Sequence, residues 1–204
     1  MIINCHLRKL VRHTGRKMIH EVIITSKSKD DIINIAPMGI RIKDDEVTIS
    51  PFKPSQTLTN IMATKIATVN FIDDVRVFAG IVTNFQKNWD LCIAERKGIV
   101  PHLKSSNAHY NLIMEEFKDD EKRPNITCKI ISQGNHRPFQ GFNRAQSSII
   151  EASVLVSRLS MLPIEKIHQE IEYLKIGIDK TAGKRELEAW TWIIQKIKDY
   201  EDNE

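Results

Sequence analysis

The sequence has few of the residues from which common metal and nucleotide sites are built. It has three cysteines, Cys5, Cys92 and Cys128, and no Cys-x-x-Cys pair, so neither a structural zinc site nor a disulfide framework is indicated. It has eight glycines and no Gly-x-Gly-x-x-Gly, P-loop or Gly-x-Ser-x-Gly pattern, which excludes the usual phosphate loops. The seven histidines are scattered without a metal-binding spacing, so we expect surface or hydrogen-bonded core residues and no metal site.

Long apolar runs are missing as well. The longest fall far short of the ~20 residues that a membrane span requires, and residues 1–20 carry charges where a signal peptide has its apolar centre. The cysteine usage fits a reducing compartment, so we expect a cytoplasmic protein with no membrane partner. The apolar share of 41% is typical of a globular protein, here one domain with a small appendage.

The excess of positive charge is small. The formal net charge is +4, and much of the excess lies in a basic N-terminal extension, residues 1–17. A nucleic-acid-binding barrel that uses this extension would bind with a steep salt dependence. Acidic residues accompany the basic ones through the rest of the chain, so the pattern favours a solvated extension, and nucleic acid is an unlikely partner.

Residues 18–142 have the pattern of an antiparallel sheet. β-Branched segments bounded by polar turns predict strands over residues 21–26, 32–42, 46–50, 67–72, 110–118 and 126–132. Short helices are expected after Pro54 and after Asp73-Asp74, and residues 84–107 are the least regular part. At least six strands with hairpin-like spacing predict a closed or nearly closed barrel.

From residue 143 to residue 204 the apolar period changes from two to about 3.6. This change predicts a C-terminal helical segment and an α+β fold. We interpret three apolar stripes as packing faces: Ala145, Ile149, Ala152, Val156 and Leu159; Ile164, Ile167, Ile171, Leu174 and Ile178; Leu187, Trp190, Ile194 and Ile197.

The second predicted strand contains Pro37 and Gly39. Proline donates nothing to a strand ladder and glycine has no side chain to pack, so we expect an irregular strand with backbone groups free for a ligand. An edge strand with a bulge explains the same residues equally well. Both alternatives stay open on this pattern alone.

Residues 52–57, Phe-Lys-Pro-Ser-Gln-Thr, start the first short helix and are the strongest local signal. Free amide groups, Lys53 and the hydroxyls of Ser55 and Thr57 converge there, a combination that suits a phosphate monoester. A plain capped helix with Lys53 in solvent is the simpler alternative. The irregular strand lies one hairpin earlier, and Asn60 and Asn70 could add side-chain hydrogen bonds to a bound ring.

These segments resemble a family of proteins known as DUF447, which is related to flavin reductase-like split barrels. The resemblance rests on Glu-Val-Ile-Ile-Thr at residue 21, Asn-Ile-Ala-Pro-Met-Gly at 34, Pro-Phe-Lys-Pro-Ser-Gln-Thr-Leu-Thr-Asn at 51 and Val-Asn-Phe-Ile-Asp-Asp at 69. A second block, Phe-Gln-Gly-Phe-Asn-Arg-Ala at residue 139, is also similar. Residues 80–87 depart from the family pattern, which weakens any substrate pocket built there.

The resemblance implies an antiparallel FMN-binding split β-barrel that works as a homodimer, with the flavin near the subunit boundary. It implies that residues 34–39 flank the isoalloxazine ring and that the segment around residue 55 holds the phosphate. The implied FMN contacts are Asn34, Ala36, Pro37, Met38, Gly39, Phe52, Lys53, Ser55, Thr57, Asn60, Asn70, and, from the partner subunit, Asn143 and Arg144.

Two functions fit this cofactor. The first is a flavin-dependent oxidoreductase that acts on a small organic substrate or exchanges electrons with a nicotinamide or deazaflavin donor. The second is a flavin-binding carrier, sensor or assembly partner without turnover. No acid–base pair stands out in the sequence, and His136 and Arg144 are candidates by residue type alone.

Overall fold

The computed structural model describes residues 18–92 and 98–203, so the basic extension predicted for residues 1–17 lies outside the described residues. The described strands are β1 His20–Lys27, β2 Ile33–Lys43, β3 Glu46–Ile49, β4 Ile66–Phe71, β5 Ala108–Lys118 and β6 Asn125–Asn135. The described helices are α1 Gln56–Thr64, α2 Arg76–Thr83, α3 Arg144–Val156, α4 Ile164–Thr181 and α5 Lys184–Glu201.

The six strands form a closed antiparallel barrel in the order β1-β2-β3-β6-β5-β4, with β4 pairing back onto β1. Alternate β-branched residues of the strands point inward, because successive side chains of a strand face opposite sides. Val22, Ile24, Val47, Ile49 and Val69 are among those that share the barrel core. The α+β split-barrel prediction is confirmed.

β1 is buried on both faces, from Val22 to Ser26. Its outer face carries Ile23, which packs in a second cluster with Val77, Phe78 and Leu103. The α2 helix and the loop before β5 therefore cover the outside of the barrel at this strand.

The prediction of an irregular second strand is wrong. β2 is continuous from Ile33 to Lys43, and its register with β1 is unbroken from Ile33 to Ile40 through both Pro37 and Gly39. A strand tolerates proline where its nitrogen faces an edge without a hydrogen-bonded partner, and β2 has such an edge at Pro37. That edge pairs with β3 only over Ile40–Lys43, so among the described residues no strand covers it from Ile33 to Gly39.

The three C-terminal helices pack against the barrel through α2. Their buried residues share one core with Val75 and Ala79 at the start of α2. The predicted face of α3 is confirmed, and that of α5 is confirmed at Trp190, Ile194 and Ile197, which pack on the same core, but not at Leu187. Leu187 is 52% exposed, whereas Ala189, Ile193 and Ile197 are buried. Within the described residues, no helix has the length and apolar character needed to cross a bilayer.

A nearly buried carboxylate ties α2 to α5. Asp74 is 3% exposed and accepts two hydrogen bonds from Arg76, to Oδ1 at 2.9 Å and to Oδ2 at 2.7 Å. The same guanidinium donates to Glu188 Oε2 at 3.0 Å, and these partners raise the pKa of Arg76 above its usual value. The arrangement fixes the helical segment against the barrel.

We expect Asp74→Ala to lower the free energy of unfolding by about 2–3 kcal/mol, because removing one partner of a buried pair leaves the other charge uncompensated. Glu188→Ala is the matched control, and because that carboxylate is exposed it should cost under about 1 kcal/mol. Urea unfolding measures both variants. Equal losses would contradict this account of Asp74.

Candidate functional site

The N-terminus of α1 has a side-chain cap on one amide and, within the part of the chain that the structure describes, leaves two others without a partner. Ser55 is the N-cap residue, and its hydroxyl accepts from the Leu58 amide at 3.3 Å. The first amides of a helix have no partner within it, and those of Gln56 and Thr57 have no protein acceptor among the described residues. Two N–H groups and the positive end of the helix dipole are therefore available to an anion.

The loop before α1 is braced by the loop between β5 and β6. The Lys53 amide donates to the Lys122 carbonyl at 2.9 Å, and Ser50 Oγ donates to Asn125 Oδ1 at 2.7 Å. The Arg123 guanidinium lies 4.4 Å from the ring centre of Phe52. These contacts keep the segment rigid while Phe52 stays exposed.

Lys53 supplies a positive charge to this segment, on a side chain that can change its partner. Its ammonium group pairs with exposed Asp119 at 2.5 Å, and the hydrogen bond from Lys53 lowers the pKa of that carboxyl. Exposed ion pairs contribute little stability, so the ammonium group can exchange this partner for a bound anion at small cost.

A hydrogen bond joins the open edge of β2 to the start of α1. Asn34 Nδ2 donates to Thr57 Oγ1 at 3.0 Å. Residues 33–39 are half-buried along their whole length, although they line a strand. The structure thus brings Asn34 to the candidate phosphate segment, and Ala36, Pro37, Met38 and Gly39 follow it along the same strand.

Two predicted asparagine ligands have amides that the protein itself occupies. Asn60 Nδ2 donates to Ser26 Oγ at 3.2 Å. Asn70 is fully buried, donates to the Ile23 carbonyl at 3.1 Å and accepts from the Leu103 amide at 2.7 Å. Both side chains stabilise the barrel wall, because a buried amide is costly to leave unpaired.

The two remaining predicted FMN ligands are Asn143 and Arg144, which lie at the start of α3. Asn143 is its N-cap, accepting from the amides of Ala145 and Gln146 and donating to the Thr181 carbonyl at 3.0 Å. Arg144 is exposed. Among the described residues, neither side chain hydrogen-bonds to the phosphate segment of the same chain.

A separate cavity of about 950 Å³ lies between the barrel and α3. Its wall is largely apolar and includes Phe71, Phe139, Phe142 and Ile150. Phe139 and Phe142 pack edge to face with ring centres 5.2 Å apart, yet Phe142 is 100% exposed. His136 contributes to the same wall.

The structure brings together three histidines that the sequence pattern did not connect. The side-chain nitrogens of His102, His109 and His136 lie within 4.8 Å of one another. His109 Nδ1 is 2.8 Å from His136 Nε2, and the His102 ring stacks on both neighbours at 4.2 and 4.5 Å. Burial and the other two rings lower the pKa of His109 to about 4. Their spacing along the chain gave no indication of this cluster.

Comparison with known proteins agrees with this architecture. The sequence profile of the N-terminal domain of a protein family of unknown function, DUF447, matches residues 20–137. The profile of the DUF447 C-terminal domain matches residues 143–195. The chain belongs to the DUF447 family.

A protein from an archaeon is among the relatives. An uncharacterised protein of Methanocaldococcus jannaschii is 26% identical over 190 residues, which covers 88% of this chain and 90% of that protein. This similarity extends across the barrel and the helical segment.

Solved structures share the fold. An FMN-bound DUF447 protein from Methanosarcina mazei is 22% identical, with a TM-score of 0.75 over 92% of this chain and 99% of the other. A flavin reductase-like split-barrel protein from Shewanella frigidimarina is 12% identical, with a TM-score of 0.50 over 58% of this chain and 67% of the other. At these identities the likeness establishes the fold.

Proposed function

We propose that this DUF447 protein binds FMN and acts as a flavin-dependent oxidoreductase on a small organic substrate or a redox cofactor. The observation that carries the proposal is the Asn34–Thr57 hydrogen bond, which places an uncovered strand edge beside an open helix N-terminus. The FMN in the Methanosarcina mazei family member supports the choice of flavin.

The residues present fit an FMN molecule. The Gln56 and Thr57 amides, the Ser55 hydroxyl and Lys53 offer donors and charge to a phosphate. Residues 34–39 offer backbone donors and acceptors on the uncovered edge of β2 to the polar rim of a flat ring. Asn60 and Asn70 serve the pocket indirectly, because their amides hold its wall.

Bound flavin would supply hydride or electron transfer, and the chain would supply orientation and electrostatics. Backbone N–H groups on the uncovered edge of β2 would offer hydrogen bonds to such a ring without any titrating side chain. This arrangement is consistent with the scarcity of acid–base pairs along the chain.

Lys53→Glu tests the phosphate assignment. We expect FMN affinity to fall at least roughly tenfold, because a charge-assisted bond is replaced by repulsion. Lys175→Glu, on the exposed side of α4, is the charge-matched control and should leave affinity unchanged. Fluorescence titration of FMN measures both, and equal affinities would remove the assignment. Lys53 is the better target than Ser55, since Ser55→Ala also removes a helix cap.

A flavin-binding module without turnover is the second candidate. The sequence predicts no nucleophile, no acid–base pair and no substrate-binding residue, and this fits a flavin-binding module as well as it fits a flavin enzyme. Reduction of the bound FMN by NADH, NADPH or reduced deazaflavin separates the two. The oxidoreductase proposal predicts faster reduction than for free FMN, and equal rates would favour the module.

We also propose a homodimer in which the segment around Asn143 and Arg144 reaches the flavin of the partner. The exposed Phe139 and Phe142 support an interface on this segment, since exposed aromatic pairs are common at interface centres.

Light scattering of the purified chain should give twice the 23.5 kDa of one copy. Phe142→Asp should shift the mass toward one copy because it places a charge in an apolar contact. Tyr173→Asp, at an exposed position on α4, is the control. An unchanged mass in the Phe142 variant, or a wild-type monomer, would contradict the proposal.

A further inference from the structure

Three imidazoles meet at one end of the barrel from three separate segments. His109 begins β5, His136 follows β6, and His102 lies in the loop before β5. That loop is anchored at His102 itself, whose carbonyl accepts from the Cys92 amide at 2.9 Å. The backbone therefore fixes all three side chains in one place.

The backbone opposite His109 leaves room for its ring. Gly134 is the cross-strand partner of His109. A Cβ at residue 134 would lie 2.6 Å from His109 Cε1 and 3.3 Å from His136 Cε1. Any other residue there would push the rings apart, so the close approach of His109 and His136 depends on this glycine.

The remaining nitrogen of His109 has a partner of its own. His109 Nε2 is 3.2 Å from the side-chain amide of Asn111, which is itself buried. Nδ1 is thereby directed toward His136. Histidine ligands of metals usually donate their other N–H to an acceptor, which fixes the ring, and the Asn111 amide can play this part once its oxygen faces Nε2.

We propose that His102, His109 and His136 form a binding site for a divalent transition metal ion of the zinc type. Neutral imidazole nitrogens without thiolates suit zinc, copper or nickel, and among the described residues no carboxylate belongs to this group of three. Zn–N bonds of ~2.0–2.1 Å in tetrahedral geometry set ligand nitrogens ~3.3 Å apart. The 2.8 Å pair must open slightly, and the His102 ring must turn so that its nitrogen moves inward by about 1.5 Å.

Protons remain balanced when the ion binds. In the absence of the ion, one proton lies between His109 Nδ1 and His136 Nε2. The ion takes its place, and this proton moves to His109 Nε2. The Asn111 amide then turns over, so that its oxygen accepts this proton and its NH₂ group donates to Thr68 Oγ1. Thr68 can accept, because its own hydroxyl proton bonds to the Val100 carbonyl at 2.7 Å.

The surroundings suit an ion that keeps one coordination position for a ligand from outside the chain. Three nitrogen ligands leave the fourth position of a tetrahedral ion to water or to an oxygen of a bound molecule. His136 also lines the 950 Å³ cavity, whose wall carries the carboxylates of Glu21 and Asp73 and the guanidinium of Arg137.

Zinc binding to the untagged full chain, first stripped with a chelator, tests the proposal. We expect about one Zn²⁺ per chain in equilibrium dialysis with elemental analysis. His136→Ala should weaken this binding at least about 100-fold while the exposed position leaves the fold intact. His168→Ala is the control, because that exposed histidine pairs with Glu201 on the helical segment.

The kind of ligand is tested separately with Cu²⁺ as the probe. Electron paramagnetic resonance should show coupling to imidazole nitrogens that is lost in His109→Ala and in His136→Ala. His6 and His13 are present in every variant, so any metal that they bind is a constant background. Wild-type zinc affinity in His136→Ala, or no zinc binding by the wild type, would overturn the proposal.

Discussion

The short third strand is the constraint on which the candidate flavin site depends. β3 has four residues and pairs with β2 only over Ile40–Lys43, so the first seven residues of β2 keep one edge uncovered. The chain then turns through Pro51 into α1, whose N-terminus bonds to that edge through Thr57 and Asn34. A longer β3 would close the edge with backbone hydrogen bonds and leave no polar groups for a ring.

The barrel and the helical segment are joined through α2. α2 serves two cores, since its Val77 and Phe78 pack on β1 while Ala79 packs on the C-terminal helices. The helices therefore cover one side of the barrel. The exposed residues Phe139 and Phe142 line the large cavity. Flavin chemistry and a metal site can occupy separate places on this framework.

Much of the fold could be predicted from the sequence, because alternation and helical period are local signals. The strands and the face of α3 follow from them directly. The irregular β2 was wrong because a proline disturbs a strand only where its missing N–H is needed. On α5 the prediction fails only at Leu187, which looks like a core residue but is exposed, whereas the small Ala189 is buried.

The sites were harder to predict, since they depend on contacts between distant segments. The cap of α1 and the position of Lys53 follow from local sequence. The internal role of Asn70 does not, nor does the bond from Asn143 to Thr181, because these partners lie more than 30 residues away. For the histidines, one signal was available: extending the predicted β5–β6 hairpin past Tyr110 and Ser132 places His109 opposite Gly134, two residues from His136.

The central claim is that the uncovered edge of β2 and the N-terminus of α1 form one flavin site. Amide hydrogen exchange of the full chain with and without FMN tests it most directly. The account predicts slower exchange on FMN addition in peptides covering residues 33–39 and 53–58, with no change in α4. Unchanged exchange in both segments, with protection appearing elsewhere, would contradict it.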